Sequence, residues 1–69
     1  NIVSPGIIDT PMFGPDSSER SSKLGAATAS HVIPRPGTAA EVASAVIFTI
    51  QNDFVTGTTV DVDGGWLLS

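Results

Sequence analysis

Residues 38–50 read TAAEVASAVIFTI, and this stretch decides the fold. Thr38, followed three positions later by Glu41, has the form of a capping box. The threonine oxygen can accept from the Glu41 N–H while the glutamate reaches back to the Thr38 N–H, and together they fix a helix start. Val42, Ala45, Val46 and Ile50 then recur at helical spacing, and Ala43, Ile47 and Phe48 widen the apolar surface beyond one stripe. Such a helix is expected to be buried on more than one side. Gly37, just before the cap, supplies a turn.

Working outward from this helix, residues 1–4 read as the end of a strand, because Ile2 and Val3 run into Pro5 and Gly6, which stop a ladder and turn the chain. On the other side Asn52, Asp53 and Gly57 mark a loop. Residues 58–62 then form a β-branched strand with Asp61 interposed, ended by Gly64 and Gly65. Strand, helical crossover and strand make a βαβ unit, whose strands run parallel. Two parallel strands with one good helix leave a face and an edge bare, so the fold class is α/β and the chain is expected to be an incomplete domain. Residues 7–36 alternate turn formers (Pro11, Gly14, Pro15, Gly25, Pro34, Pro36) with a helical patch over residues 16–30. The expectation is a mobile excursion whose helix turns Glu19, Arg20 and Lys23 to solvent.

Composition narrows the function. Of 69 residues, 41% are hydrophobic and 14% charged, which suits a globular chain and not a disordered one. Three basic residues against seven acidic ones give a net charge of −4, which disfavours nucleic acid as a partner. No apolar run approaches the ~20 residues needed to span a bilayer, and no signal-peptide pattern opens the chain. A soluble, cytoplasmic protein with no membrane partner is therefore expected. There is no cysteine for disulfide or thiol chemistry. The chain opens on Asn1 and its sole methionine is Met12, so a piece of a longer protein is the expected reading.

The ordered set Asn1, Val3-Ser4-Pro5-Gly6, Ile8, Thr10-Pro11-Met12, Arg35, Gly37, Glu41-Val42-Ala43, Ala45-Val46, Phe48, Val55-Thr56-Gly57 and Val62-Asp63-Gly64-Gly65 resembles the C-terminal part of the short-chain dehydrogenase/reductase family. The resemblance spans almost the whole chain, and its strength lies in order and spacing. It implies that residues 1–69 are the C-terminal βαβ segment of a single NAD(P)-binding, Rossmann-like doubly wound parallel sheet. It further implies NAD or NADP as cofactor, bound only together with the rest of the domain, and an alcohol dehydrogenase or carbonyl reductase acting on a small-molecule substrate, to which this segment would supply nicotinamide contacts, a flexible substrate lid that includes residues 16–30 and an oligomer edge. Carried over by position, Pro5 and Gly6 shape the turn at the nicotinamide. The Ile8 backbone would bond the carboxamide, and the Thr10 hydroxyl the carboxamide or pyrophosphate. Glycine at position 6 would let a ligand approach the backbone. On spacing alone, Pro5 and Gly6 could simply end a strand and Thr10 cap a turn.

The resemblance also shows what the chain lacks. It has no tyrosine, so the family's catalytic Tyr and Lys pair is missing, as are its upstream serine and Gly-rich phosphate loop. No catalytic residue is assigned, and the chain alone is expected to transfer no hydride. Its partners would be the N-terminal part of the same domain and further copies joined through the edge strand and tail. The alternative is a non-catalytic remnant acting as an interaction or assembly module.

Four side-chain groups offer bolder readings. Asp61 and Asp63 could suggest a metal pair, but the chain offers few further ligands and Asp63 belongs to the turn at Gly64 and Gly65, so no metal is assigned. His31, alone in a polar loop, reads as a solvated residue rather than a general base. Trp66, Leu67 and Leu68 pack either on their own domain or on a second subunit, with the interface favoured. Met12 and Phe13 either touch substrate or simply pack.

Overall fold

Ile2–Pro5 forms β1 and Thr59–Val62 forms β2, and the two pair in parallel with Ile2 opposite Thr59 and Pro5 opposite Val62. Between them lie α1 (Ser17–Thr28) and α2 (Ala39–Gln51), with single 3-10 turns at Pro11–Phe13 and Trp66–Leu68. The computed structural model describes residues 1–14 and 16–68, so the turn expected at Pro15 lies outside the described residues.

β1 extends one residue further than expected and includes Pro5. The donors to β2 fall at even positions, with Ile2 N–H on Thr58 O at 2.9 Å and Gly6 N–H on Val62 O at 3.0 Å. The N–H that Pro5 lacks would face the other edge, so the ladder loses nothing. The loop before β2 is held by Asn1, whose side-chain amide donates to Val55 O and accepts from Thr58 N–H, each at 3.2 Å.

The capping box of α2 forms as its sequence dictates: Thr38 Oγ1 accepts from Glu41 N–H at 3.1 Å, and Glu41 Oε1 accepts from Thr38 N–H at 2.9 Å. The burial expected on several sides does not follow. No described residue of α2 is buried, and Ile50 is 73% exposed. The reason is geometric. The Cα envelope measures 42 × 25 × 13 Å, a slab in which a two-stranded sheet covers the Val42, Ala45 and Thr49 side of the helix and no further layer covers the rest.

The most buried side chains lie instead in the excursion, whose helix turns Glu19 and Lys23 to solvent as expected. Asp16 caps α1, its Oδ1 accepting from Ser18 N–H at 2.8 Å, and one side of that helix buries Leu24 (2% exposed) and Thr28 (0%). The Thr28 hydroxyl is satisfied by Leu24 O at 2.8 Å. The charged side carries the Lys23–Glu19 pair at 3.0 Å. Arg20 ties the helix to the chain before it, bonding Asp9 at 2.8 Å and Gly14 O at 3.2 Å.

His31 is also buried (8% exposed), contrary to the solvated reading. Its N–H bonds Thr28 O at 3.0 Å, which folds the ring inward at the end of α1, and Trp66 stacks over it with ring centroids 6.2 Å apart and planes 20° apart. Trp66 therefore packs within its own chain, while Leu67 and Leu68 remain exposed. The tail reaches His31 through a tight turn. Asp63 Oδ1 accepts from Gly65 N–H at 2.9 Å, Gly64 and Gly65 take φ of 62° and 87°, and Ile33 N–H bonds Gly64 O at 2.8 Å. A Cβ at Gly65 would lie 2.6 Å from Val32 Cβ. Gly65→Ala is thus expected to destabilise by about 1–3 kcal/mol through combined backbone strain and overlap. A denaturation midpoint measured on a chain long enough to fold cooperatively checks this; an unchanged midpoint would show that the tail does not dock on Val32.

Candidate functional site

Beyond Gly6 the chain does not leave the sheet region at once. Ile8 forms a parallel bridge with Gly37, in which Gly37 N–H bonds Ile7 O and Asp9 N–H bonds Gly37 O, both at 2.9 Å. In a parallel bridge of this kind the central residue turns its own N–H and C=O to the opposite edge. Those two groups of Ile8 have no backbone partner among the described residues. One donor and one acceptor thus remain open on the outer edge of this bridge.

The Thr10 hydroxyl is open too. Thr10 precedes the turn at Pro11–Phe13 in extended conformation, and its side chain makes no capping bond; the turn is closed by its carbonyl, which accepts from Phe13 N–H at 3.1 Å. The reading in which Thr10 caps that turn through its side chain is therefore set aside. Gly6 has a structural reason for being glycine. A Cβ there would stand 2.8 Å from Asp63 Cα, so β1 and the exit from β2 can approach only without a side chain. The fold alone thus requires glycine here, whatever a ligand asks of the same position.

Pro5, Gly6, Ile8 and Thr10 all line one cavity of about 410 Å³, which brings the four sequence-selected positions together. Met12 and Phe13 form its flank, with Met12 88% exposed at the rim. Ala39 and Val42, from the first turn of α2, complete the lining. These last two were not picked out from sequence as site residues, because an apolar helix position reads as core whatever it faces. A second concavity, of about 340 Å³, involves Arg35, Glu41, Asp61 and Asp63. Asp63 is engaged there by Gly65 N–H, and no group of three or more His, Asp or Glu among the described residues is placed to hold a metal ion.

The strongest electrostatic feature is the pairing of Arg35 with Glu41. The guanidinium meets the carboxylate through two parallel bonds of 2.9 Å, and Arg35 also donates to Pro36 O at 3.0 Å. With the Arg35 guanidinium and then the Thr38 N–H bonded to it, the Glu41 carboxyl is held at about 2, down from 4.5.

An α/β segment with two parallel strands joined through a helix, and an apolar cavity past the end of β1, is a βαβ unit of the kind from which doubly wound parallel sheets are built. Comparison with known proteins agrees. A family model described as enoyl-(acyl carrier protein) reductase matches residues 1–67. The short-chain dehydrogenase/reductase ATR9 of Stachybotrys chlorohalonatus is 38% identical over 99% of this chain, and the short-chain reductase protein NovJ of Streptomyces niveus is 35% identical over 94%. The crystal structure of a small-chain dehydrogenase in complex with NADPH superposes on 97% of this chain with a TM-score of 0.81 at 35% identity. The chain belongs to the short-chain dehydrogenase/reductase family, matching its C-terminal part. It spans 27% of the length of each of the two curated relatives and 31% of the solved structure. Among the described residues no helix is long and apolar enough to cross a membrane.

The pH dependence of the Arg35–Glu41 pair follows from its sign. The folded value of Glu41 lies below the unfolded one, so its stabilisation is complete above pH 4.5 and is lost as pH falls toward 2. A side-chain NMR titration is expected to place Glu41 near 2, and Glu41→Gln to flatten the acid limb of stability over that window. A Glu41 titrating at 4.5 would mean that the pair does not form.

Proposed function

We propose that residues 1–69 work as the C-terminal segment of a single NAD(P)-binding domain in an oxidoreductase of the alcohol dehydrogenase or carbonyl reductase type. In this reading the segment holds the nicotinamide end of NAD or NADP. The observation that carries it is the pair of open backbone groups at Ile8 beside the uncommitted Thr10 hydroxyl. A carboxamide presents two donors and one acceptor, and this edge presents the complements. Pro5 and Gly6 set the turn that delivers them. The cofactor, when bound, supplies the hydride or accepts it. What this chain's residues do is fix the orientation of the ring, present a wall to the small alcohol or carbonyl substrate and keep water from that side. The tyrosine, lysine and serine that would move the proton are outside this sequence.

The uncovered side of α2, with Ile47, Phe48 and Ile50, favours completion by further layers of the same domain over the alternative of a stand-alone assembly module. The outer edge of β2 with Leu67 and Leu68 is the surface we assign to subunit pairing. The isolated 69-residue chain is expected to be unfolded or aggregated in circular dichroism and size-exclusion, and a cooperative fold, compact or oligomeric, would support the module instead.

For cofactor binding, Thr10→Val removes the hydroxyl while keeping the shape. In the full-length protein the Kd for NADH or NADPH, read by fluorescence titration, is expected to rise about 3–10-fold. An unchanged Kd for both would sink the role of Thr10.

A further inference from the structure

We infer that the substrate wall supplied by this chain selects a neutral, apolar carbonyl or alcohol and rejects one bearing a carboxylate or phosphate. The inference rests on the nicotinamide reading above and adds the class of molecule that the site takes.

Three independent features point to this selection. The wall itself is apolar, with Met12 and Phe13 on one flank and Ala39 and Val42 on the other, and among the described residues no charged side chain lines the cavity. Next, every cation of the chain is already engaged: Arg20 with Asp9 at 2.8 Å, Lys23 with Glu19 at 3.0 Å and Arg35 with Glu41 at 2.9 Å. Recruiting one of them for an anionic substrate would break an existing pair. The third feature is the N-terminus of α2, whose first turn forms part of this wall. A helix start is ordinarily an anion site, since its free N–H groups and dipole favour negative charge. Here the Thr38 oxygen takes the Glu41 N–H, and the Glu41 carboxylate already lies against the Thr38 N–H. The Thr38 and Glu41 N–H groups at this helix start are thus already taken, and the carboxylate that takes one of them lies outside the lining of the cavity. An anionic substrate would lose its hydration against this wall without a counter-charge, whereas an apolar one covers Met12 and Phe13.

The test uses the full-length protein and two probes of matched shape, phenylglyoxylate and its neutral methyl ester. Titration with NADH and NADPH alone comes first. Failure to bind either removes the nicotinamide reading, and this inference with it. With cofactor bound, calorimetry of the complex is expected to give a Kd for the ester about 30-fold or more below that for the acid. Met12→Lys, at an exposed rim position, places an unpaired cation on the wall and is expected to shrink that ratio about 10-fold, read at saturating cofactor because Met12 lines the same cavity as Ile8 and Thr10. Equal or tighter binding of the acid by the unaltered protein overturns the inference and leaves the nicotinamide reading standing. So does failure of both probes to bind, or a ratio unmoved by Met12→Lys.

Discussion

The arrangement depends on two backbone hydrogen bonds, Gly37 N–H to Ile7 O and Asp9 N–H to Gly37 O. They close the excursion formed by residues 8–36 onto the sheet region, and the entropy lost in closing such a loop grows only slowly with its length. Once closed, the loop delivers three things to one place. Thr38 and the start of α2 arrive beside the end of β1, the Ile8 peptide groups are turned outward, and Thr10 follows within the same cavity. Gly37 suits the junction because a Cβ there would meet Ile8 Cδ1 at 2.9 Å. A substituent at that point would press on Ile8 and disturb the bridge.

The electrostatics are organised by local pairing. Each of the three cations is matched within its own neighbourhood, and the best-formed match, Arg35 with Glu41, also completes a helix cap. Exposed pairs of this sort add little to stability singly. Their effect here is to fix geometry: Arg20 holds α1 against Asp9, and Glu41 fixes where α2 begins. What remains uncommitted is concentrated on the open groups of Ile8 and Thr10, so polarity at the cavity is confined to the side where a directional ligand is expected.

Local features were legible in the sequence because their causes are local. The capping box needs only Thr38 and Glu41, the parallel strands follow from two β-branched runs around a helical crossover, and the turn at Asp63 is written in Gly64 and Gly65. The gathering of Pro5, Gly6, Ile8 and Thr10 in one cavity was legible through motif order. Features that depend on distant cover were not. His31 has polar neighbours along the chain and gives no sign that Trp66 will lie over it. Leu24 and Thr28 sit in a patch with little apolar periodicity, yet they form the best-buried cluster because α1 folds back on its own approach. The apolar surface of α2 misled in the opposite direction: periodicity reports what a helix is suited to meet, and within this chain only one layer is there to meet it. Gly6 shows a subtler limit, since nothing in the sequence signals that β1 and the exit from β2 approach so closely there.

The stacking of Trp66 on His31 gives the molecule an optical property of its own. Trp66 is the sole tryptophan and no tyrosine is present, so the near-ultraviolet emission of these 69 residues comes from one indole. That indole sits on a titratable ring at the end of α1 and is carried by the turn that leaves β2. Light from this single position therefore reports on whether the tail and the excursion are in contact, without any label having to be attached.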